Sequence, residues 1–276
     1  MNGDDKLLLA KNEAYEISAE NAARALADAA VKAGELARSM YGKRLKTWIK
    51  DKDSPVTESD IAADALLREQ LTAFAPGYEW LSEESADIAG RSTHRRRWVV
   101  DPIDGTRSYM KGQLDWSISV ALVEDGRPIA AALYAPATSE LFTAVAGGGA
   151  VRNGSKISVS GCRTLESARI AGPRFTLERL STEIAFEAAP RIHSLALRFA
   201  RVACGEIDIA IASENSRDWD LAAADLLVHE AGGLLSGIDG RPIVYNNPGT
   251  EHPSLAAAGL ALHPAALAAL GKVLAR

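Results

Sequence analysis

The sequence predicts a layered α/β protein in which an α+β half is followed by an α/β half. Three observations carry this expectation. Two alanine- and leucine-rich stretches of helical period come first, short β-like runs separated by turn residues follow up to about residue 146, and strands alternate with helices after about residue 160.

Ala23, Leu26, Ala30, Ala33 and Leu36 recur at helical spacing, which predicts a helix over 17–40 with Ser18 as its N-cap. Residues 42–55 are polar and charged and read as a loop. Thr57-Glu58-Ser59-Asp60 resembles a capping box, opening a second helix that runs to about Phe74 and stops at Pro76-Gly77. Short strands are expected at 79–82 and 97–101. A meander follows at 117–123, 129–134 and 141–146, with turns at Asp125-Gly126 and Pro136-Ala137-Thr138. Strands at 168–171, 207–211, 233–236 and 256–260 then alternate with helices at 176–182, 194–204, 219–232 and 264–275. Residues 1–155 form the first half and 156–276 the second, as one catalytic unit without an internal repeat or low-complexity linker.

A chain of 276 residues, 47% hydrophobic and 24% charged, has an ordinary globular composition. A net charge of −5 argues against a nucleic-acid partner, which calls for clustered basic excess. Arg95-Arg96-Arg97, the one tight basic run, reads as a solvated turn before a strand in preference to an anion site. Cys162 and Cys204 are far apart and in no metal-spaced pair, as fits a reducing compartment. Within residues 1–11 the apolar run is too short for a signal peptide, and no window reaches the ~18 apolar residues of a membrane span. The expectation is a cytoplasmic protein with no membrane partner. Residues 149–156 imitate a nucleotide P-loop, but Ser155-Lys156 reverses the required order, and Asn153-Gly154 is better read as a hairpin turn.

The chemistry concentrates at Trp98-Val99-Val100-Asp101-Pro102-Ile103-Asp104-Gly105-Thr106. A buried strand that ends in two carboxylates needs a cation, and magnesium fits because hard divalent ions choose carboxylate and carbonyl oxygen. A turn there would bring Asp101 and Asp104 to one side with the Ile103 carbonyl nearby. Gly105-Thr106 offers backbone N–H groups to an anion. Three further acidic segments accompany it, and each also has a plain structural reading. Asp60 suits the first turn of a helix, Glu83-Glu84 a solvated turn, and Asp220 an N-cap. Their joint occurrence favours a shared site.

Together, Trp98 to Thr106, Leu81-Ser82-Glu83-Glu84, and Trp219-Asp220 followed by Ala231-Gly232-Gly233 resemble the inositol monophosphatase superfamily in order and approximate spacing. With Lys52-Asp53-Ser54-Pro55-Val56-Thr57, and with Ser82 where inositol monophosphatases usually have Gly, they look most like its 3′(2′),5′-bisphosphate nucleotidase branch. The resemblance implies an α-β-α-β-α sandwich and a phosphomonoesterase of small phosphorylated metabolites, with 3′-phosphoadenosine 5′-phosphate preferred and myo-inositol 1-phosphate, or another sugar or histidinol phosphate, as the alternative. It implies two or three magnesium ions held by Glu83, Asp101, Asp104, Asp220 and the Ile103 carbonyl. Asp60 and Thr106 would orient and help deprotonate the attacking water, with Glu84 in support. The amides of Gly105 and Thr106 would hold the phosphate. Lithium inhibition and a homodimer are also implied. In the family a Gly-Ser or Gly-Thr pair tends to open the helix near 194, where this chain reads His193-Ser194-Leu195-Ala196-Leu197-Arg198. Ser194 keeps part of that function, and Arg198 meets a second phosphate or lies on the surface. Arg107 suits a substrate with extra negative charge, and Glu214 either reaches a substrate hydroxyl or is a solvated loop acid; Asp220 is expected near the substrate as well as the metal. A metal-binding interaction protein without catalysis is the rival class, against which the complete ligand set counts.

Overall fold

A computed structural model of the chain describes residues 16–50, 54–85, 94–245, 247 and 249–274. The short apolar run of residues 1–11, Lys52 and Asp53, and residue 275 of the last expected helix lie outside the described residues.

The first element of the described residues is helix α1 (Ala19–Met40), capped by Ser18, whose hydroxyl accepts from Asn21 N at 3.2 Å. A two-stranded hairpin of β1 (Thr47–Ile49) and β2 (Pro55–Thr57) then stands where a loop was expected. Its strands are too short and polar to register as periodicity. Helix α2 (Glu58–Phe74) follows, with the expected capping residues in place. Seven strands make the large sheet in sequence order: β3 (Glu79–Ser82), β4 (Arg96–Asp104), β5 (Ser117–Glu124), β6 (Arg127–Ala135), β7 (Glu140–Val145), β8 (Gly149–Arg152) and β9 (Ser155–Lys156). Only β3–β4 is parallel. Between β4 and β5 lies the short helix α3 (Thr106–Met110). Asn153-Gly154 forms the turn between β8 and β9, both residues at positive φ, so the P-loop imitation is a hairpin.

The second half contains β10 (Arg169–Ala171), α4 (Arg174–Leu180), β11 (Glu187–Ala188), α5 (Leu195–Ala203), β12 (Ile209–Ala212), β13 (Ser216–Arg217), α6 (Asp218–Glu230), β14 (Gly233–Gly237), β15 (Glu251–His252), β16 (Leu255–Gly259) and α7 (His263–Leu274). Its five-stranded sheet runs β11-β10-β12-β16-β14, and β13 pairs with β15. The two-residue strands β11, β13 and β15 carry no period and were not expected.

Alternation along the strands builds the layers. On β4, Trp98 and Val100 face α1 and α2, and Val99 faces the opposite side toward α5 and α6. The far face of the small sheet, with Ile170, Ile209 and Ile211, packs on Leu180, Leu262, Leu270 and Val273 of the outer layer. The order is therefore α1/α2, large sheet, α5/α6, small sheet, α4/α7: the expected α-β-α-β-α sandwich. Helix α6 sits between two sheets and is apolar nearly all round, burying Leu221, Ala222, Ala223, Ala224, Leu226, Leu227 and Val228. Each fully buried leucine or valine among them contributes roughly 1.5–3 kcal/mol. Gly34 of α1 lies directly against the Tyr134 ring of β6, where a Cβ would collide.

The arginine run is corrected. Arg96 and Arg97 lie in β4, and Arg97 is buried against Glu79 at 2.6 Å. Arg96 bonds Glu124 at 2.5 Å and Tyr78 at 2.6 Å. These two bind the strands of the sheet together, and only Arg95 keeps the expected place, exposed just before the strand and 3.1 Å from Asp125.

Candidate active site

Strand β4 delivers the two central carboxylates. In a regular strand, residues three apart face opposite sides of the sheet. The β4–β5 pairing shifts register between Asp101 and Asp104, so a bulge, in place of the expected turn, turns both toward one place. Asp101 Oδ1 accepts from Ile103 N at 3.1 Å, a local bond that fixes the bend. Asp220 enters from the first turn of α6, where its Oδ2 accepts from Arg217 N at 2.7 Å. It is the third residue of that helix, not its N-cap. One carboxylate oxygen from each of Asp101, Asp104 and Asp220 lies within 4.8 Å of the others.

Glu83 begins the turn after β3 and lines the same cavity, while Glu84 bonds Lys50 of the hairpin region at 2.5 Å. Lys50 also comes within 3.7 Å of Glu83. Ser82 donates to Asp64 of α2 and accepts from Glu84 N at 3.2 Å, which locks the start of the Glu83-Glu84 turn. Burial is the main reason that Glu83, Asp101, Asp104 and Asp220 all hold their protons above the ordinary carboxylate range. Mutual repulsion adds to it at Asp101, where Glu83, Asp104, Asp220 and Asp60 all press the same way. Burial likewise pushes Glu84 up to about 7 against the pull of Lys50, and its Oε2 has no hydrogen-bond partner among the described residues.

Asp60 and Thr106 meet across α2 and α3: Thr106 Oγ1 lies 2.9 Å from both Asp60 Oδ1 and the Ile103 carbonyl oxygen. The other oxygen of Asp60 accepts from Thr57 N at 2.8 Å and Thr57 Oγ1 at 2.6 Å. Burial raises Asp60, and these donors pull it part of the way back. Gly105 precedes Thr106 at φ +93°, a left-handed conformation, and a Cβ there would lie 3.0 Å from the Asp115 carbonyl oxygen.

A cavity of about 280 Å³ is lined by Ser54, Pro55, Glu83, Asp101, Ile103, Asp104, Gly105 and Thr106, with Asp220, and also by Arg107, Arg191, His193 and Arg198. Acid and base thus share one small space, and Arg198 and Asp104 act on each other across it. The oxygen-only donor set and its raised proton affinities fit a hard divalent cation. Glu83, Asp101, Asp104, Asp220 and the Ile103 carbonyl are the groups placed to hold it.

One expected substrate contact, Ser194, is placed differently, and of the two readings of Arg198 only the surface one fails, since it lines the cavity. Ser194 is fully buried as the N-cap of α5, its hydroxyl donating to Asp104 Oδ2 at 2.6 Å and accepting from Leu197 N at 3.0 Å. It holds Asp104 and does not line the cavity. Arg198 is not a surface residue: its guanidinium bonds the carbonyls of Ile192 and Ile211 at 2.6–3.1 Å. Glu214 is exposed in a separate cavity with Thr176 and Asn215, away from the acidic cluster. Lys50, Arg191 and the Asp115–His193 pair were not singled out from the sequence. They sit in loops without a motif, and only chain tracing brings them to the site.

The profile of the inositol monophosphatase family matches residues 18–273, and the chain belongs to that family. An inositol-1-monophosphatase of Mesorhizobium japonicum is 31% identical over 80% of this chain and 87% of its own length. A 3′(2′),5′-bisphosphate nucleotidase CysQ of Aggregatibacter actinomycetemcomitans is also 31% identical, over 79% and 84%. The extragenic suppressor protein suhB of Bartonella henselae superposes with a TM-score of 0.80 at 30% identity, covering 90% of this chain and 98% of that one. No helix among the described residues is long and apolar enough to cross a membrane.

Proposed function

We propose that the chain is a magnesium-dependent phosphomonoesterase whose preferred substrate is 3′-phosphoadenosine 5′-phosphate, cleaved to AMP and phosphate. The observation that carries this reading is one cavity lined both by carboxylates, with the Asp60–Thr106 pair beside them, and by Arg107, Arg191, His193 and Arg198. Magnesium held by Glu83, Asp101, Asp104, Asp220 and the Ile103 carbonyl would neutralise the ester, raise the acidity of water and stabilise the leaving oxygen. Thr106 donates to Asp60 and keeps lone pairs on Oγ1 for the attacking water. A proton taken from that water by Thr106 is matched by the hydroxyl proton passing to Asp60, whose burial raises its affinity for it. Glu84 supports the turn that carries Glu83. The backbone amides of Gly105 and Thr106 face the phosphoryl oxygens. The basic wall suits an ester with a second negative group.

The Mesorhizobium relative's name favours a second reading, myo-inositol 1-phosphate. Phosphate release measured side by side decides between them. A bisphosphate nucleotide turned over at least tenfold more efficiently (kcat/KM) supports the nucleotidase reading, and one turned over no faster than inositol phosphate removes it.

A further inference from the structure

The carboxylate floor and its cation would engage the phosphate that is cleaved, so a second anion on the ester is left to the basic side chains of the cavity wall. The four basic residues on that wall are not equivalent. Arg198 spends Nε and both terminal nitrogens on the carbonyls of Ile192 and Ile211. Ile192 stands between Arg191 and His193, so Arg198 braces the segment that carries both. Arg191 is exposed, has no hydrogen-bond or ion-pair partner among the described residues, and presses its charge on Arg198. Asp104 and Asp115 offset that repulsion at Arg198, while Arg191, lining the cavity without a bonded carboxylate among the described residues, is left able to meet an anion.

His193 is held from one side only. Its backbone N–H and its Nδ1 both meet Asp115 Oδ2, at 2.6 and 2.7 Å. Asp115 is fixed in turn by Ser108, and its carbonyl accepts from Ser194 N at 3.3 Å. Burial raises the Asp115 carboxyl, but the bonds from Ser108 and His193 outweigh it and hold it below its ordinary range, ionised. The carboxylate on Nδ1 orients the ring and leaves Nε2 as the nitrogen available to the cavity.

We infer that Arg191 and His193 form the subsite that reads the second anionic group of the ester, with Arg198 as their brace. The inference rests on the phosphomonoesterase reading above. It is tested by measuring kcat and KM for 3′-phosphoadenosine 5′-phosphate and for adenosine 3′-phosphate, which lacks the second phosphate. The variants are Arg191→Ser, His193→Asn and Arg191→Lys, with Arg179→Ala, remote from the cavity, as control. A charge-assisted bond to phosphate corresponds to about tenfold to a hundredfold in binding. Arg191→Ser and His193→Asn are expected to lower the preference for the bisphosphate by that factor through KM, with kcat within about twofold. Arg191→Lys is expected to restore most of it. Because Arg191 is exposed and unpartnered, its replacement leaves the melting temperature in place, which separates recognition from folding. An unchanged preference in Arg191→Ser, or a wild-type enzyme without the preference, overturns the subsite alone. Phosphate release from neither ester overturns the phosphatase reading and the subsite with it.

Discussion

At the scale of single residues, the site is organised by groups that hold the carboxylates as much as by the carboxylates themselves. Asp104 accepts from Ser194 Oγ, Leu195 N at 3.1 Å and Ala196 N at 2.7 Å, so the open end of α5 serves as its anchor. Replacing Ser194 with Ala removes both the cap and one donor to a buried carboxylate. Thermal denaturation in EDTA is expected to show a loss of about 1–3 kcal/mol. A variant with full stability and a raised KM would instead mark Ser194 as a substrate contact. The acids themselves were legible in the sequence because carboxylates beside apolar runs are conspicuous. Their holders were not. Nothing in the residues around Asp115 or His193 announces a pairing across 78 positions.

Whole elements show the same contrast. Helices α1, α2, α5, α6 and α7 and the longer strands were readable because apolar residues recur with the period of the element that buries them. The hairpin β1–β2 was not: at three residues a strand has no period, and Thr47–Ile49 is exposed throughout. The bulge in β4 was likewise invisible, since Pro102 marks an irregularity without saying which way it turns the chain. Helix α3 depends on one glycine. Gly105 takes φ +93° and packs against Asp115 O and Ser194, while Tyr109 anchors the helix through Ser59 at 2.6 Å, the Ala37 carbonyl at 2.7 Å and the Trp116 ring. Gly105→Ala is therefore expected to cost about 1–2 kcal/mol from the left-handed backbone, plus what the contacts add. Phosphate release should fall further than stability, because Thr106 moves with the turn. Equilibrium denaturation and the assay, run on the same preparation, check both.

For the molecule as a whole, five alternating layers were expected and found, and they put acidic residues from both halves of the chain into one cavity. Layering also buries charge away from the site. Asp225 of α6 accepts from Tyr245 Oη at 3.0 Å, and burial pushes its carboxyl up to about 6, with Arg127 pulling it down. A carboxyl raised in the folded state contributes stability that is full below its unfolded pKa of about 4 and is lost as the pH rises through 6. Asp225→Asn keeps an acceptor for Tyr245 and removes the charge. Its melting temperature, relative to the parent, is expected to rise between pH 4 and pH 8, by about 3 kcal/mol of stability at most. No change across that interval would show that the carboxylate is not held up by burial.

The same logic, buried carboxylates waiting for a cation, underlies the central claim, and one titration tests it most directly. Protein stripped with EDTA is supplied with increasing Mg²⁺ while phosphate release from 3′-phosphoadenosine 5′-phosphate is followed, in parallel with Asp101→Asn. The account predicts no release without the ion, saturable recovery in the parent and little or none in the variant. Release that ignores EDTA, or equal recovery in Asp101→Asn, would contradict it.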